Sequence, residues 1–425
     1  MEPCHAVIVD PYGGARDFVP AFRARGVETV ALLSDPGPLA SYAARWHPGD
    51  FARVHAYDGD FDELLRTVKA YDPICIVPGN EHAVELTASL VEVLMPEKGN
   101  VIGSAPSQRD KWQMALALER AGVPRIPQIC TDQPAEVADW IRHNGLTGRP
   151  LVFKPPKSGG TDNVHMSGPG EDWRPHFDAQ LGYVNRFDIR TDRVLVQEYA
   201  QGPEFIVDLY SVDGRHGLAN VCRYVKHSRG SRIGIYDAAE YLPPGHPEVA
   251  MLFAYTKLAA DAVGIRNGST HAEVIVTVDG PRLVEIASRL SGGCMMASGR
   301  LATGDCQIDR TVRHYLDGEF SPGFELVRHV RTMWLGTEQD GVLRNIEILE
   351  GARDLPTVHS MDLARNGTLI SCTEDAFTEL GWIILGGCDE DAMEADYQQI
   401  KEWERQVVVE PVGAAAPLPI VRKSC

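Results

Sequence analysis

Two glutamates pose the first chemical question. Residues 271–278 (HAEVIVTV) and 282–286 (RLVEI) are apolar runs flanking Asp279-Gly280, a β-hairpin pattern, and each run carries one acid, Glu273 and Glu285. Register decides whether the acids meet. A strict two-residue turn at Asp279-Gly280 sets Glu273 opposite Ile286 and sends the two acids to opposite faces. A three-residue loop, Asp279-Gly280-Pro281, sets Glu273 opposite Ala287 and Glu285 opposite Ile275, which makes the acids diagonal neighbours about 7 Å apart on one face. Pro281 has no N–H to give a ladder, which favours the loop. Two like charges on one face call for a cation between them, and magnesium, which takes one or two carboxylates plus phosphate oxygens, fits. His271 shares the face of Glu273; a lone strand histidine is more often structural, and contact with substrate or phosphate is the other reading. Arg289, just before Gly292-Gly293, offers a forked, permanent charge to a phosphoryl or acyl-phosphate group.

Two further segments carry chemistry. The apolar run Leu151–Lys154 ends in a lysine and continues as Pro-Pro-Lys, then Ser158, Gly159, Gly160, Thr161, Asp162 and Asn163. Glycines let backbone N–H groups approach phosphate oxygens, and lysines supply point charges. The segment is not a P-loop, since GxxxxGK[ST] is missing. Next, residues 194–199 form a strand that runs through Gln197, Glu198 and Ala200 to Gly202-Pro203 and then Glu204. A hinge strand can offer its backbone to an adenine edge, and Glu204 can accept from both ribose hydroxyls. Arg223, Lys226, His227, Arg229 and Arg232 form a basic run. It reads as a solvated loop, with reception of a substrate carboxylate or phosphate as the other reading.

These groups need a scaffold. Residues 5–10, 29–33 and 74–78 read as strands, alternating with helices at 18–25, 61–70 and 81–94, which implies a parallel, doubly wound sheet. Ligands bind at the C-terminal ends of such strands, where residues 11–15 and 79–81 lie. The first turn, PYGGA, lacks the GxGxxG dinucleotide fingerprint. A boundary falls near residues 100–108, followed by a helix at 111–121 that begins with Lys111. The next third is strand-rich (205–212 in addition to those above) with a helix at 249–263. The final third mixes strands such as 382–385 with a last helix near 393–406, and the Ala/Pro-rich tail 411–425 is expected to fray.

Composition limits the partners. A net charge of −18 argues against a nucleic-acid partner. No stretch approaches membrane-span length, and the first ten residues lack a basic start and a long apolar run. The nine cysteines form no CxxC pair and are irregularly spaced, so free thiols in a reducing, cytoplasmic protein are expected.

Taken together, the order of these elements resembles the ATP-grasp superfamily over nearly the whole chain: Lys111 before Ala121-Gly122-Val123-Pro124, then Lys154 and its Gly-rich loop, the hinge, Glu204, the paired acids and Arg289. The segments around His271-Ala272-Glu273-Val274 and EIASRLSGG (285–293) resemble the branch of L-amino-acid ligases and carnosine-synthase-like carboxylate–amine ligases. The resemblance implies an α/β chain with an N-terminal Rossmann-like parallel-sheet domain (1–105). A two-lobed ATP-grasp fold (α+β) follows, with one lobe at 106–200 and the other, including a C-terminal subdomain, at 201–425. It further implies that Lys111 and Lys154 hold ATP phosphates under a lid of Ser158, Gly159, Gly160 and Thr161, and that Gln197, Glu198 and Ala200 line the adenine site. Glu204 then holds the ribose, Glu273 and Glu285 bind one or two Mg2+ ions, and Arg289, Lys154 and His271 serve catalysis. Many superfamily members carry Asn two residues after the second acid; here that position is Ala287. The implied reaction is ADP-forming ligation of an amino-acid carboxylate to an amine through an acyl phosphate, on small-molecule substrates, with a homodimer left open. The rivals are a carboxylating ATP-grasp subunit and a non-catalytic nucleotide-binding regulator.

Overall fold

The computed structural model describes residues 4–39, 42–43 and 46–412. Apart from Pro411 and Val412, the tail expected to fray lies outside them. The chain opens with four parallel strands, β1 (Cys4–Val9), β2 (Val27–Leu33), β3 (Arg53–Ala56) and β4 (Cys75–Pro78), in the order β3-β2-β1-β4. Helices α1 (Phe18–Arg23), α2 (Phe61–Lys69) and α3 (Val84–Leu94) connect and cover them. This is the expected Rossmann-like unit, with two differences. β3 escapes the sequence pattern because it is a short edge strand with no buried residue. The helix expected from residue 81 starts at Val84, since the Asn80 side chain accepts the His82 N–H and holds a turn there.

The core of the chain is a large sheet. Its strands are β5 (Gln128–Thr131), β6 (Leu151–Lys154), β7 (His165–Ser167), β8 (Val194–Glu198), β9 (Glu204–Val212), β10 (Arg215–Arg229), β11 (Arg232–Tyr241), β12 (Gly268–Thr277) and β13 (Gly280–Ala287). They run in the order β13-β12-β9-β10-β11-β7-β6-β8-β5. Helices α4 (Lys111–Arg120), α5 (Pro134–His143), α6 (Arg174–Gln180) and α7 (Pro247–Ala262) pack against it. Alternation divides the faces of β9, β12 and β13. Phe205, Val207, Ala272, Val274 and Ile286 point to α7 and form one core with Leu252 and Tyr255. The intervening residues, Glu204, Asp208, His271, Glu273 and Glu285, are left for the opposite face.

That opposite face is covered by α8 (Met295–Thr303) and α9 (Gln307–Asp317) and, through them, by the N-terminal unit. Phe18 and Phe22 of α1 share a core with Met296, Ile308 and Ile206. Gly14 sits so close to this junction that a Cβ there would lie 2.8 Å from the Gly293 carbonyl oxygen. The first turn is thus shaped for docking. Strands β14 (His329–Leu335), β16 (Val358–Leu363) and β18 (Gly381–Gly387) extend the large sheet beyond β11, while β15 (Gly341–Arg344), β17 (Leu369–Ile370) and β19 (Val408–Glu410) form a small one. With α10 (Glu347–Glu350) and α11 (Glu390–Glu404) they enclose a further core. All eight described cysteines are free thiols, and Cys425 lies outside the described residues. Among the described residues no helix is long and apolar enough to cross a membrane.

Candidate active site

β6 delivers Lys154 by simple alternation. Leu151 and Phe153 are locked among Val137, Phe177 and Val196, so Val152 and Lys154 face the other way. They line a cleft whose wall also includes Lys111, Glu204, Lys226 and both hairpin acids. Burial lowers the Lys154 ammonium to about 8, and the nearby Lys111 adds to the fall. Lys111 is the first residue of α4, where a cation opposes the helix dipole. Its ammonium is held at 2.8 Å from Glu285 and 2.8 Å from the Ser158 carbonyl oxygen.

Ser158, Gly159, Gly160 and Thr161 curve over this cleft. The loop has anchors that its composition conceals. Ser158, Asp162 and Asn163 are buried. Asp162 accepts from the Tyr183 hydroxyl (2.7 Å) and the Arg186 N–H (2.8 Å), and the Ala376 N–H donates to the Gly160 carbonyl at 3.0 Å. The loop also holds strain: Thr161 and Asn163 sit at φ 62° and 56°, and a β-branched residue rarely adopts that conformation.

On the hinge, Gln197, Tyr199 and Ala200 line the cleft. The Glu198 side chain does not; its carboxylate faces Arg149 at 2.9 Å, which leaves only its backbone to serve the hinge. Glu204 opens β9 inside the cleft and meets Lys226 at 2.7 Å. The basic run is therefore not a solvated loop. It lies on β10 and β11, and only Lys226 turns into the cleft, 4.1 Å from the Tyr224 ring and 4.6 Å from the Tyr236 ring. Arg223, Arg229 and Arg232 pair instead with Glu240, Glu338 and Glu374.

The hairpin brings the acids together by a route other than the expected one. The turn residues are Val278 and Asp279, with Thr277 opposite Gly280, and Pro281 sits in the ladder opposite Val276. β13 is the edge of the sheet, where proline is tolerated. With no further irregularity this register would leave Glu273 opposite Val284. A bulge between the Glu273 and Val274 pairs adds one residue to β13 and sets Glu273 directly opposite Glu285. The acids are thus a direct pair, not diagonal neighbours. Val284 and Glu285 both face the cleft.

Burial would raise the Glu273 carboxyl, but Lys226, His271 and the Tyr224 hydroxyl together hold it well below the usual range. Glu204, sharing the same lysine, is raised by burial and by Glu273. One ligand atom from each of His271, Glu273 and Glu285 lies within 4.8 Å of the others. Hard carboxylate oxygens converging beside three lysines fit a divalent cation with phosphate oxygens.

Arg289 lies behind the acids, outside the main cleft. Its Nε donates to Glu81 at 2.5 Å, and its Nη2 is 3.9 Å from Glu285. Glu81, from the loop after β4, also pairs with Arg109 at 3.3 Å. Sequence reasoning gave Tyr236 no place and named Lys226 and Glu81 only within longer segments, a basic run and the end of a strand. Lys226 and Tyr236 sit on strands that the sequence pattern did not show, and Glu81 lies at the C-terminal end of a parallel strand, as its segment did in the sequence.

Residues 147–297 match the model of the ATP-grasp domain family. Dapdiamide A synthase of Enterobacter agglomerans is 30% identical over 290 residues, which covers 68% of this chain and 67% of that protein. An uncharacterised protein of Sinorhizobium fredii is 23% identical over 405 residues, covering 90% and 78%. Among solved structures, an L-amino acid ligase from Bacillus licheniformis superposes with a TM-score of 0.75 at 16% identity, over 97% of this chain and 100% of that one. N5-carboxyaminoimidazole ribonucleotide synthetase from Thermotoga maritima gives a TM-score of 0.66 at 15% identity, over 96% and 100%. The two superpositions establish a shared fold, and the dapdiamide synthase match adds sequence kinship across two thirds of both chains: the chain belongs to the ATP-grasp family of ligases.

Proposed function

We propose that this enzyme uses ATP to join the carboxylate of an amino acid to an amine, that of a second amino acid, and releases ADP and phosphate. The observation that carries this reading is the direct pairing of Glu273 with Glu285 in a cleft that also holds Lys111, Lys154 and Lys226. In this reading the substrate carboxylate attacks the γ-phosphoryl group. Lys111, Lys154 and Lys226 neutralise the charge spread over the phosphate oxygens, so catalysis is largely positioning and electrostatics. A magnesium ion held by Glu273 and Glu285 would supply further charge neutralisation. The apolar side chains of Ile126, Val152, Ile233 and Ile275 in the cleft wall suit an adenine ring, and Glu204 suits its ribose. Glu81 and Arg289, an acid beside a guanidinium, complement the ammonium and carboxylate of an amino acid. The amine of the second substrate then attacks the acyl phosphate, and the loop over the cleft keeps water out until it arrives.

On this reading the segments 1–105, 106–200 and 201–425 act as substrate-side unit, lid lobe and metal lobe of a cytoplasmic enzyme. The names of two similar proteins, a dapdiamide synthase and an L-amino acid ligase, agree with the reaction class. The test is a screen of amino-acid pairs for phosphate release with mass spectrometry of the product. Release is expected to require Mg2+ and both substrates, and the product mass to equal their sum less one water. Stoichiometric pyrophosphate would refute the acyl-phosphate route.

A further inference from the structure

His271 stands in a lateral row across three strands. β9 sets Asp208 beside it, and β13 sets Ala287 on its other side. The side chain of Ala287 is a methyl group, with no polar atom to compete with the imidazole beside the acids. On the other flank the ring is fixed. Its Nδ1 lies 2.9 Å from Asp208 Oδ1 and 3.0 Å from Ser291 Oγ. Asp208 is wholly buried, and its second oxygen accepts from Asn220 at 3.2 Å. Ser291 is itself fixed, because its N–H donates to Gln307, whose amide bonds the carbonyls of Leu209 and Thr270. A carboxylate gripping one ring nitrogen sets the tautomer and turns the other nitrogen outward, the arrangement that orients histidines toward metals. Here Nε2 points to the hairpin acids, 3.7 Å from Glu273 Oε1. That is long for a hydrogen bond. It falls within the spacing, about 3 to 4.3 Å, of two ligand atoms on one octahedral ion with bonds of about 2.1 Å.

We infer that His271 is a direct ligand, through Nε2, of the divalent cation that Glu273 and Glu285 hold, and that Asp208 is the residue that positions it. The inference rests on the reading of the cleft as a metal–nucleotide site. A nitrogen in the ligand set favours Mn2+ over Mg2+ more than an all-oxygen set does. The alternative is that the Asp208–His271 pair only braces the sheet.

Electron spin echo modulation of Mn2+ bound to the full-length enzyme with ADP separates the two. Phosphorus coupling reports that the ion sits with the nucleotide. Nitrogen coupling that changes on labelling the protein with 15N-histidine, and vanishes in His271→Ala, is the expected result. Mn2+ affinity in His271→Ala should fall about tenfold or more, and Mg2+ affinity by less. Asp208→Asn should weaken Mn2+ binding by about tenfold, the usual cost of losing such a partner. Placing an oxygen ligand across the strand, in His271→Ala/Ala287→Asn, should restore Mn2+ affinity without the nitrogen signal, which also shows that the hairpin still folds. Phosphorus coupling with no histidine nitrogen in the wild type would overturn the inference and leave the nucleotide site standing. Absence of Mn2+ binding with ADP would overturn both.

Discussion

Lys226 offers the sharpest test of the site's electrostatics. Its ammonium lies 2.7 Å from Glu204 and 3.9 Å from Glu273, and all three side chains are largely buried. At an effective dielectric of about 20 the two attractions are about 6 and 4 kcal/mol. Desolvation offsets much of this, but removing one partner leaves buried carboxylates uncompensated, at a cost of about 3–5 kcal/mol. Lys226→Met should therefore lower stability by that amount at pH 8 in urea unfolding without nucleotide. The pH dependence follows from the two acids. Glu273 is depressed, so its stabilising contribution is present above the ordinary value of 4.5 and is lost as pH falls. Glu204 is raised above 4.5, so its ionisation weakens the fold as pH rises through its folded value. Loss of Lys226 moves both acids upward. The deficit should thus be larger at pH 8 than at pH 5, and Lys226→Met/Glu204→Gln should recover part of it. A loss under about 1 kcal/mol at pH 8, or a deficit that shrinks with rising pH, would refute the reasoning.

Three further outcomes are expected. Glu285→Ala should reduce ligation about a thousandfold, the scale of a metal's charge stabilisation, with circular dichroism unchanged; near-normal turnover would remove Glu285 from the metal site. Arg289→Lys gives up the Nε donor to Glu81 and should lower kcat about a hundredfold with little change in the KM for ATP; an effect confined to ATP binding would move it out of the chemical step. Gly160 has φ 67°, and a Cβ there would lie 3.0 Å from the Phe377 ring. Gly160→Ala should therefore loosen the loop by about 1 kcal/mol or more, speed amide exchange at residues 158–163 and 374–378 together, and raise ATP hydrolysis relative to ligation. Unchanged exchange would mean that the contact with Ala376 and Phe377 does not close the loop.

Much of the fold was legible because it obeys local periodicity. β6 matches its expected limits, and the apolar pattern placed β9, β12 and α7 to within a few residues. β10 and β11 were not legible. Residues 223 to 232 are rich in charged and polar groups with little apolar alternation, and several of their partners are supplied from far along the chain. Arg229 reaches Glu338, Arg232 reaches Glu374, and Lys226 is neutralised by Glu204 and Glu273. A charge that finds its counterion a hundred residues away looks like solvated surface until the fold closes. The loop 158–163 likewise takes its anchors from outside itself, from Tyr183, Arg186 and Ala376.

The hairpin shows how a sound conclusion can rest on a different geometry. The sequence put Glu273 and Glu285 on one face through a three-residue loop that keeps Pro281 out of the ladder, whereas the structure pairs Pro281 with Val276 and still brings the acids together. The register that achieves it depends on one inserted residue, and the cause lies outside the hairpin. The Leu283 N–H donates to the Tyr255 hydroxyl at 2.8 Å, and that hydroxyl donates to the Pro124 carbonyl at 2.6 Å. Tyr255 belongs to α7 on the far face of the sheet. By satisfying the backbone donor at the point where the ladder slips, it allows the bulge without leaving a buried N–H unpaired, which would cost about 1–3 kcal/mol. The bulge then turns both Val284 and Glu285 toward the cleft and sets Glu285 opposite Glu273. The face that carries the paired acids is thus braced by a side chain packed in the core behind it.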